Sequence, residues 1–219
     1  MTNASRRRVL ASAALWTGVS ATFGLAGCSS LLPKPPPAPA LFALDDLAAP
    51  EPSLPIPAAA APTLIVGAPR AAAGFDTRRI VYLRQPHELE AFAYSEWVDS
   101  PAQMLAPLIA QALERSGAFR AVLRAPTAAT AELRLDTELI RLQHEFLVLP
   151  SRVRLTLRAV LVDTATRRVA AWREFDTSVP SQSEDPYGGV VAANRAAREL
   201  LADLAAFCAQ AAALANTAR

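Results

Sequence analysis

The sequence predicts an α+β body of two layers, a mainly antiparallel sheet with one face covered by two helices. Three observations carry that prediction. Residues 133–139, 153–161 and 169–179 each alternate apolar and polar side chains with period two, the pattern of strands that bury one face and wet the other. Residues 101–116 and 186–213 instead repeat their apolar residues at helical spacing. The strand-like runs are consecutive rather than interleaved with helices, which favours segregated layers over a parallel α/β sheet.

Taken along the chain, Leu41–Asp45 is a short strand-like run between two Pro/Ala-rich stretches, and is expected to dock on the body while residues 48–62 loop out. Leu64-Ile65-Val66 ends at Gly67 and Pro69, and Ile80–Leu83 ends at Gln85-Pro86; both read as strands. Residues 89–94 continue as a strand into Glu96-Trp97, with Trp97 wedged where strand meets helix. Ser100-Pro101 opens the first helix, Ser as N-cap and Pro at the first helical position. Met104, Leu105, Leu108, Ile109, Ala112 and Leu113 form its apolar face. Gly117 closes it, and Pro107, which lacks a backbone donor, predicts a kink near 103–107. Phe119–Leu123 returns as a strand.

In the three long strands Leu133, Leu135, Thr137 and Leu139 face inward, then Val153, Leu155, Leu157, Ala159 and Leu161, then Val169, Ala171, Phe175, Thr177 and Val179. Glu132, Asp136 and Glu138 are placed to pair with Arg152, Arg154 and Arg158 across the outer face, as a solvated surface rather than a catalytic array. Trp172 falls on the open face if that register holds. Asp163–Thr166 is a hairpin turn, and the last helix carries Val190, Val191, Asn194, Ala197, Leu200, Leu201, Leu204, Phe207, Cys208 and Ala211 on one stripe.

Phe146, Leu147, Val148 and Leu149 break the alternation where a polar turn is expected. Two readings stay open. Strand pairing extends and these residues are core, or they form an apolar tip that contacts a partner, a second copy or a lipid surface.

The amino terminus has its own logic. Arg6-Arg7-Arg8, an uncharged run from Val9 to Leu25 and the small residues before Cys28 have the form of a secretory signal over residues 1–27. An uncleaved membrane helix over Val9–Pro33 is the rival reading, weakened by its many Ser, Thr and Gly residues. Ser5-Arg6-Arg7-Arg8-Val9-Leu10 leaves both the general and the twin-arginine export routes open. Residues 28–62, with the proline-dense run over 29–40, make a tether, and residues 63–219 the globular body.

Charge and cysteine content exclude several functions. Removing the three signal arginines from 22 Lys+Arg leaves 19 basic residues against 20 acidic ones, net −1, so there is no footprint for nucleic acid. With Cys28 committed to the amino terminus, Cys208 has no disulfide partner and reads as a buried thiol in the last helix. His87 and His144 stand apart without Cys or His neighbours, which argues against a metal site. No nucleophile elbow or phosphate-binding glycine loop is present, so neither a catalytic set nor a cofactor is expected.

Leu25-Ala26-Gly27-Cys28 resembles a bacterial lipobox, and the chain as a whole resembles the ABC-type transport auxiliary lipoproteins, including the paraquat-inducible lipoprotein type. Phe42-Ala43-Leu44, Arg79–Tyr82, Tyr94–Trp97 with Ser100–Leu105, Leu113–Phe119 and Ala192–Ala196 carry the resemblance. Glu96 departs from the arginine common in that family before the Trp. The resemblance implies a diacylglyceryl and N-acyl group on Cys28, which becomes the first mature residue. Each buried methylene adds about 0.8 kcal/mol, so several chains anchor stably. It also implies a non-enzymatic helper of an MCE-type ABC system moving lipid or sterol-like molecules through the envelope. Its partner would be a periplasmic MCE-domain protein, whose ring form raises the prospect of a matching homo-oligomer. Ser29 after the lipidated Cys points to the outer membrane, facing the periplasm. The competing reading is a structural or assembly lipoprotein of another outer-membrane complex.

Overall fold

A computed structural model describes residues 37–45 and 60–217. The signal segment, Cys28 and most of the two Pro/Ala-rich stretches lie outside the described residues. Those described contain nine strands and two helices.

Three long strands form the spine: β7 (Leu133–Glu145), β8 (Arg152–Asp163) and β9 (Arg168–Pro180), paired antiparallel in that order. Leu135, Leu139, Leu155, Leu157, Ala159 and Leu161 all point to one face and are fully buried. The opposite face stays wet. There Arg158 bridges Glu138 at 3.3 Å and Glu174 at 3.0 Å, and Arg154 holds Asp176 at 2.5 Å. Of the expected β7–β8 pairs, the ion pairs of the described residues contain only Glu138 with Arg158; Asp136 bonds Arg134 of its own strand, Glu132 bonds Arg120, and Arg154 reaches into β9 instead. The bond to Arg154 holds the Asp176 carboxyl down at about 2.

The free side of β7 is lined end to end by three short parallel strands. β2 (Thr63–Val66) pairs along Leu133–Leu135, β3 (Arg70–Ala71) along Glu138–Leu139, and β4 (Arg79–Leu83) along His144–Glu145. From β2 the sheet continues to β6 (Ala121–Arg124), and from β4 to β5 (Glu90–Trp97) and then β1 (Ala40–Phe42). The sheet is therefore mixed, with its long ladders antiparallel. The strand expected within 41–45 is an edge strand of this same sheet, shifted to start at Ala40.

Two irregularities decide which side chains face inward. Between Leu139 and Arg141 the β7–β8 register slips, so Leu142 and His144, rather than odd-numbered residues, continue the buried row. Between Leu161 and Val162 the β8–β9 register slips at Ala170, so Val169 faces out and is 56% exposed. Val169 was expected on the inner face; an extra residue in one strand inverts every side chain beyond it. Ala171 is only half-buried, whereas Phe175 and Val179 keep their inward places. Trp172 lies opposite Val160 and is exposed on the open face.

Helices α1 (Pro101–Arg115) and α2 (Pro186–Thr217) cover the apolar face, α1 over β6 and β7 and α2 over β8 and β9. Ser100 occupies the N-cap of α1 with Pro101 behind it, and the helix runs on through Pro107. Gly117 follows Ser116 with φ of 64°, the left-handed turn that glycine takes without steric cost. At α2 the Asp185 carboxylate accepts the backbone N–H of Gly188 at 2.7 Å, an N-cap with Pro186 as first helical residue. That bond lowers the Asp185 carboxyl below its ordinary range.

Candidate functional site

Two features stand out on this frame: the end of the β7–β8 hairpin, and the seam where the amino-terminal strand meets α2.

At the hairpin end, pairing does extend past β7 by one residue. The Phe146 N–H donates to the Leu83 carbonyl at 2.8 Å. The Phe146 ring lies 4.2 Å from His144, 5.9 Å from Tyr82 and 6.5 Å from Phe92, between centroids, the last two edge-on. Phe146 thus belongs to an aromatic cluster built by β4, β5 and β7. The next three residues do not follow it inward: Leu147 is 45%, Val148 59% and Leu149 82% exposed. The four apolar residues divide into one that packs at the base and three that form an uncovered tip.

Beneath that base lies a polar knot that sequence reasoning passed over. His144, 2% exposed, has Nε2 2.8 Å from the Ser151 hydroxyl. The Ser151 N–H donates to the Glu184 carboxylate at 3.0 Å. A Ser, a His and an acid in contact invite comparison with a nucleophilic triad. The geometry refuses it. Ser151 is fully buried, and the acid grips the serine rather than His144 Nδ1, which has no hydrogen-bond partner. Nδ1 faces Gly189, where a Cβ would stand 2.5 Å away. Burial lowers the His144 pKa against the opposing fields of Glu184 and Asp185, so the ring is neutral at neutral pH. The knot ties the hairpin base to the start of α2. The only sequence signal for it was the lone polar His144 and Ser151 flanking an apolar run.

At the seam, Asn194 of α2 uses both ends of its amide. Its Oδ1 accepts the Asp45 N–H at 2.8 Å, and its Nδ2 donates to the Ala43 carbonyl at 3.1 Å. Leu44, between those two residues, is buried at 5% exposure, and its N–H points at the Met104 sulfur, 3.4 Å away. Phe42 pairs with Trp97, itself 3% exposed, and the Val98 N–H donates to the Phe42 carbonyl at 2.7 Å. The chain arriving from the amino-terminal side is therefore fastened to α1, α2 and β5 together. In the sequence Asn194 stands out only as a polar member of the helix stripe, within the Ala192–Ala196 stretch that carries the family resemblance.

Elsewhere the chemistry is quiet. Cys208 is fully buried, and desolvation pushes its thiol up to about 12, so it is a core residue rather than a nucleophile. Among the described residues no group of three His, Cys, Asp or Glu side chains is arranged to hold a metal, and no helix is long and apolar enough to cross a membrane.

The family model described as the ABC-type transport auxiliary lipoprotein component matches residues 42–206. Comparison with curated proteins gives no match. A Xanthomonas campestris protein of the DUF330 family superposes with a TM-score of 0.71 at 23% identity, covering 81% of this chain and 99% of that one. An uncharacterized protein superposes at 0.61 with 12% identity, covering 78% and 99%. The PelC dodecamer of Paraburkholderia phytofirmans is a more distant likeness, at 0.43 and 15% identity over 70% and 94%. At these identities the first two likenesses establish the fold.

Proposed function

The chain belongs to the ABC-type transport auxiliary lipoprotein family, and on that premise we propose that it is the envelope-anchored accessory of an MCE-type transporter of lipid or sterol-like molecules. The observation that carries the reading is the family match, which spans the folded body from the β1 strand to the middle of α2. Three features support it. Among the described residues, the Ser151–His144 pair is buried and Glu184 holds the serine rather than the ring, a structural tie of the kind a docking module uses. The chain that leads from the Cys28 lipobox enters the body through a fastened strand, as a tethered docking module requires. The hairpin offers Leu147, Val148 and Leu149 uncovered, with Phe146 as their packed base.

In this reading Cys28 carries the lipid, Ser29 directs the protein to the outer membrane, and the periplasmic MCE-domain protein is the partner. The tip is the surface offered to that partner, to a second copy or to the membrane. Pull-down of the full lipidated chain from membranes, at near-native expression, tests it. Recovery of an MCE-domain protein is the expected result. Recovery of a different outer-membrane complex alone would support the assembly-lipoprotein reading and overturn this one.

A further inference from the structure

The sheet topology puts the apolar hairpin tip and the entry of the chain at one end of the body. β1 runs parallel to β5, and Leu41 stands opposite Glu96, which pairs with Arg79 of β4. β4 runs parallel to β7, with Tyr82 opposite His144, so both climb towards the tip. Because β5 is antiparallel to β4, β1 descends from that end, and the chain ahead of Ala40 arrives from the tip's side. From Arg79 to Tyr82 is about 10 Å along the strand, and from His144 to Val148 at most about 13 Å more. Leu41 therefore lies roughly 23 Å below the tip. Cys28 precedes Leu41 by 13 residues, and a proline-rich chain spans about 3.1 Å per residue, a reach of roughly 40 Å. The chain is long enough for Cys28 to stand level with the tip.

We propose that this end of the sheet rests on the lipid surface that holds Cys28, with Leu147, Val148 and Leu149 immersed in it; the inference deepens the transport reading and rests on its lipidated Cys28. Acyl chains ask of a protein only apolar surface, and these three side chains are uncovered. Leu89, beside Glu90 at the same end of the sheet, adds a fourth aliphatic side chain at 50% exposure. Immersion of about 5–10 Å, the depth at which apolar segments sit in the boundary between head groups and acyl chains, takes in the tip and stops at its base. The base is stiff, since Phe146 packs on Tyr82 and Phe92 and His144 is tied to Ser151, so the tip is presented with little ordering left to do. A protein partner fits less well. Three side chains fall far short of the roughly 800 Å² that each partner buries in a stable protein interface. Such interfaces also draw their energy from Trp, Tyr and Arg anchors rather than from Leu and Val.

The test uses the full lipidated chain with Val148→Cys, reconstituted in vesicles of phosphatidylethanolamine and phosphatidylglycerol. Cys208 is buried and Cys28 is blocked by its own lipid, so the introduced thiol takes an environment-sensitive fluorophore. Ala165→Cys, in the exposed turn at the opposite end of β8, is the control. The expected result is blue-shifted emission at 148, quenched several-fold more strongly than at 165 by lipids that carry a nitroxide on the acyl chain. Adding Leu147→Ser and Leu149→Ser should return the emission towards its aqueous value and cut the quenching several-fold, with the thermal midpoint unchanged. Aqueous, unquenched emission at 148 overturns the proposal. Blue-shifted emission that lipid nitroxides leave unquenched overturns it too, because protein then covers the tip, as does equal quenching at 148 and 165. A chain that fails to join the vesicles removes the lipidated Cys28 and the proposal with it. Recovery of an MCE-domain protein is scored separately from cell membranes. A wet tip with that partner recovered sinks the lipid contact and leaves the transport reading standing; a lipid-quenched tip with no such partner does the reverse.

Discussion

Replacing Asn194 with alanine should loosen the amino-terminal strand without touching the core itself. The substitution removes two hydrogen bonds that cross from α2 to the 43–45 segment, at 2.8 and 3.1 Å. It strands the Asp45 N–H and the Ala43 carbonyl in a partly buried seam. Each lost bond is worth about 0.5–1.5 kcal/mol net, so the pair costs roughly 1–3 kcal/mol. In a domain of this size each kcal/mol moves the midpoint by about 2–4 °C, so a fall of roughly 2–12 °C is expected. Asn194→Asp keeps the acceptor for Asp45 but loses the donor to Ala43, and should fall between alanine and wild type. Leu44→Ala sets the upper bracket at about 2–5 kcal/mol, since it empties a fully packed site. The assay is thermal denaturation of the full chain in detergent, with amide exchange read at Leu41–Leu44 and Val98. Faster exchange there, ahead of the rest of the sheet, is the expected signature. A midpoint within 1 °C of wild type with exchange unchanged would refute the idea that Asn194 fastens the strand.

The neutral His144 makes stability sensitive to mild acid. Its folded pKa is depressed, so the stability it contributes is whole above the ordinary histidine value of about 6.5 and is lost as pH falls from there through the folded pKa. Equilibrium unfolding between pH 7.5 and 5 should show that loss, and His144→Gln should flatten it. Gly189→Ala drives a Cβ to within 2.5 Å of His144 Nδ1, and overpacking of this kind costs about 1–3 kcal/mol, read by the same unfolding assay. At the hairpin, Leu147→Ser with Val148→Ser should weaken association and change stability by less than about 0.5 kcal/mol. Phe146→Ser, in contrast, should destabilise the domain by about 1–3 kcal/mol, because its ring is packed. Cys28→Ala should abolish palmitate labelling; labelling that survives would sink the lipobox reading.

Period-two patterning located the three long strands because each has a single buried face, and helical spacing located both helices. What the pattern could not carry was the bulges. At Val169 one extra residue near Ala170 inverts the face, and nothing in the local composition announces it. The parallel ladders of β2, β3 and β4 along β7 were equally hidden, since parallel pairing joins segments about 60–70 residues apart and leaves no turn signal between them. The apolar run at 146–149 was visible as an anomaly. That Phe146 would dock depended on Tyr82 and Phe92, which only the folded sheet brings beside it. Asn194 shows the same limit: its partners lie about 150 residues away, while its neighbours in sequence belong to an ordinary helix stripe.

The fastened strand also has a mechanical meaning. Any tension on the chain ahead of the body reaches it at Ala40–Asp45. A pull along β1 loads its three rungs on β5 together, rather than one at a time. Beyond them the load passes through the Asn194 amide into α2 and through Leu44 into the cleft beside Met104. Thermal drift or the tug of a moving partner is therefore spread over a sheet edge and both helices at once. The domain would take such a load as one body instead of fraying from the end that receives it.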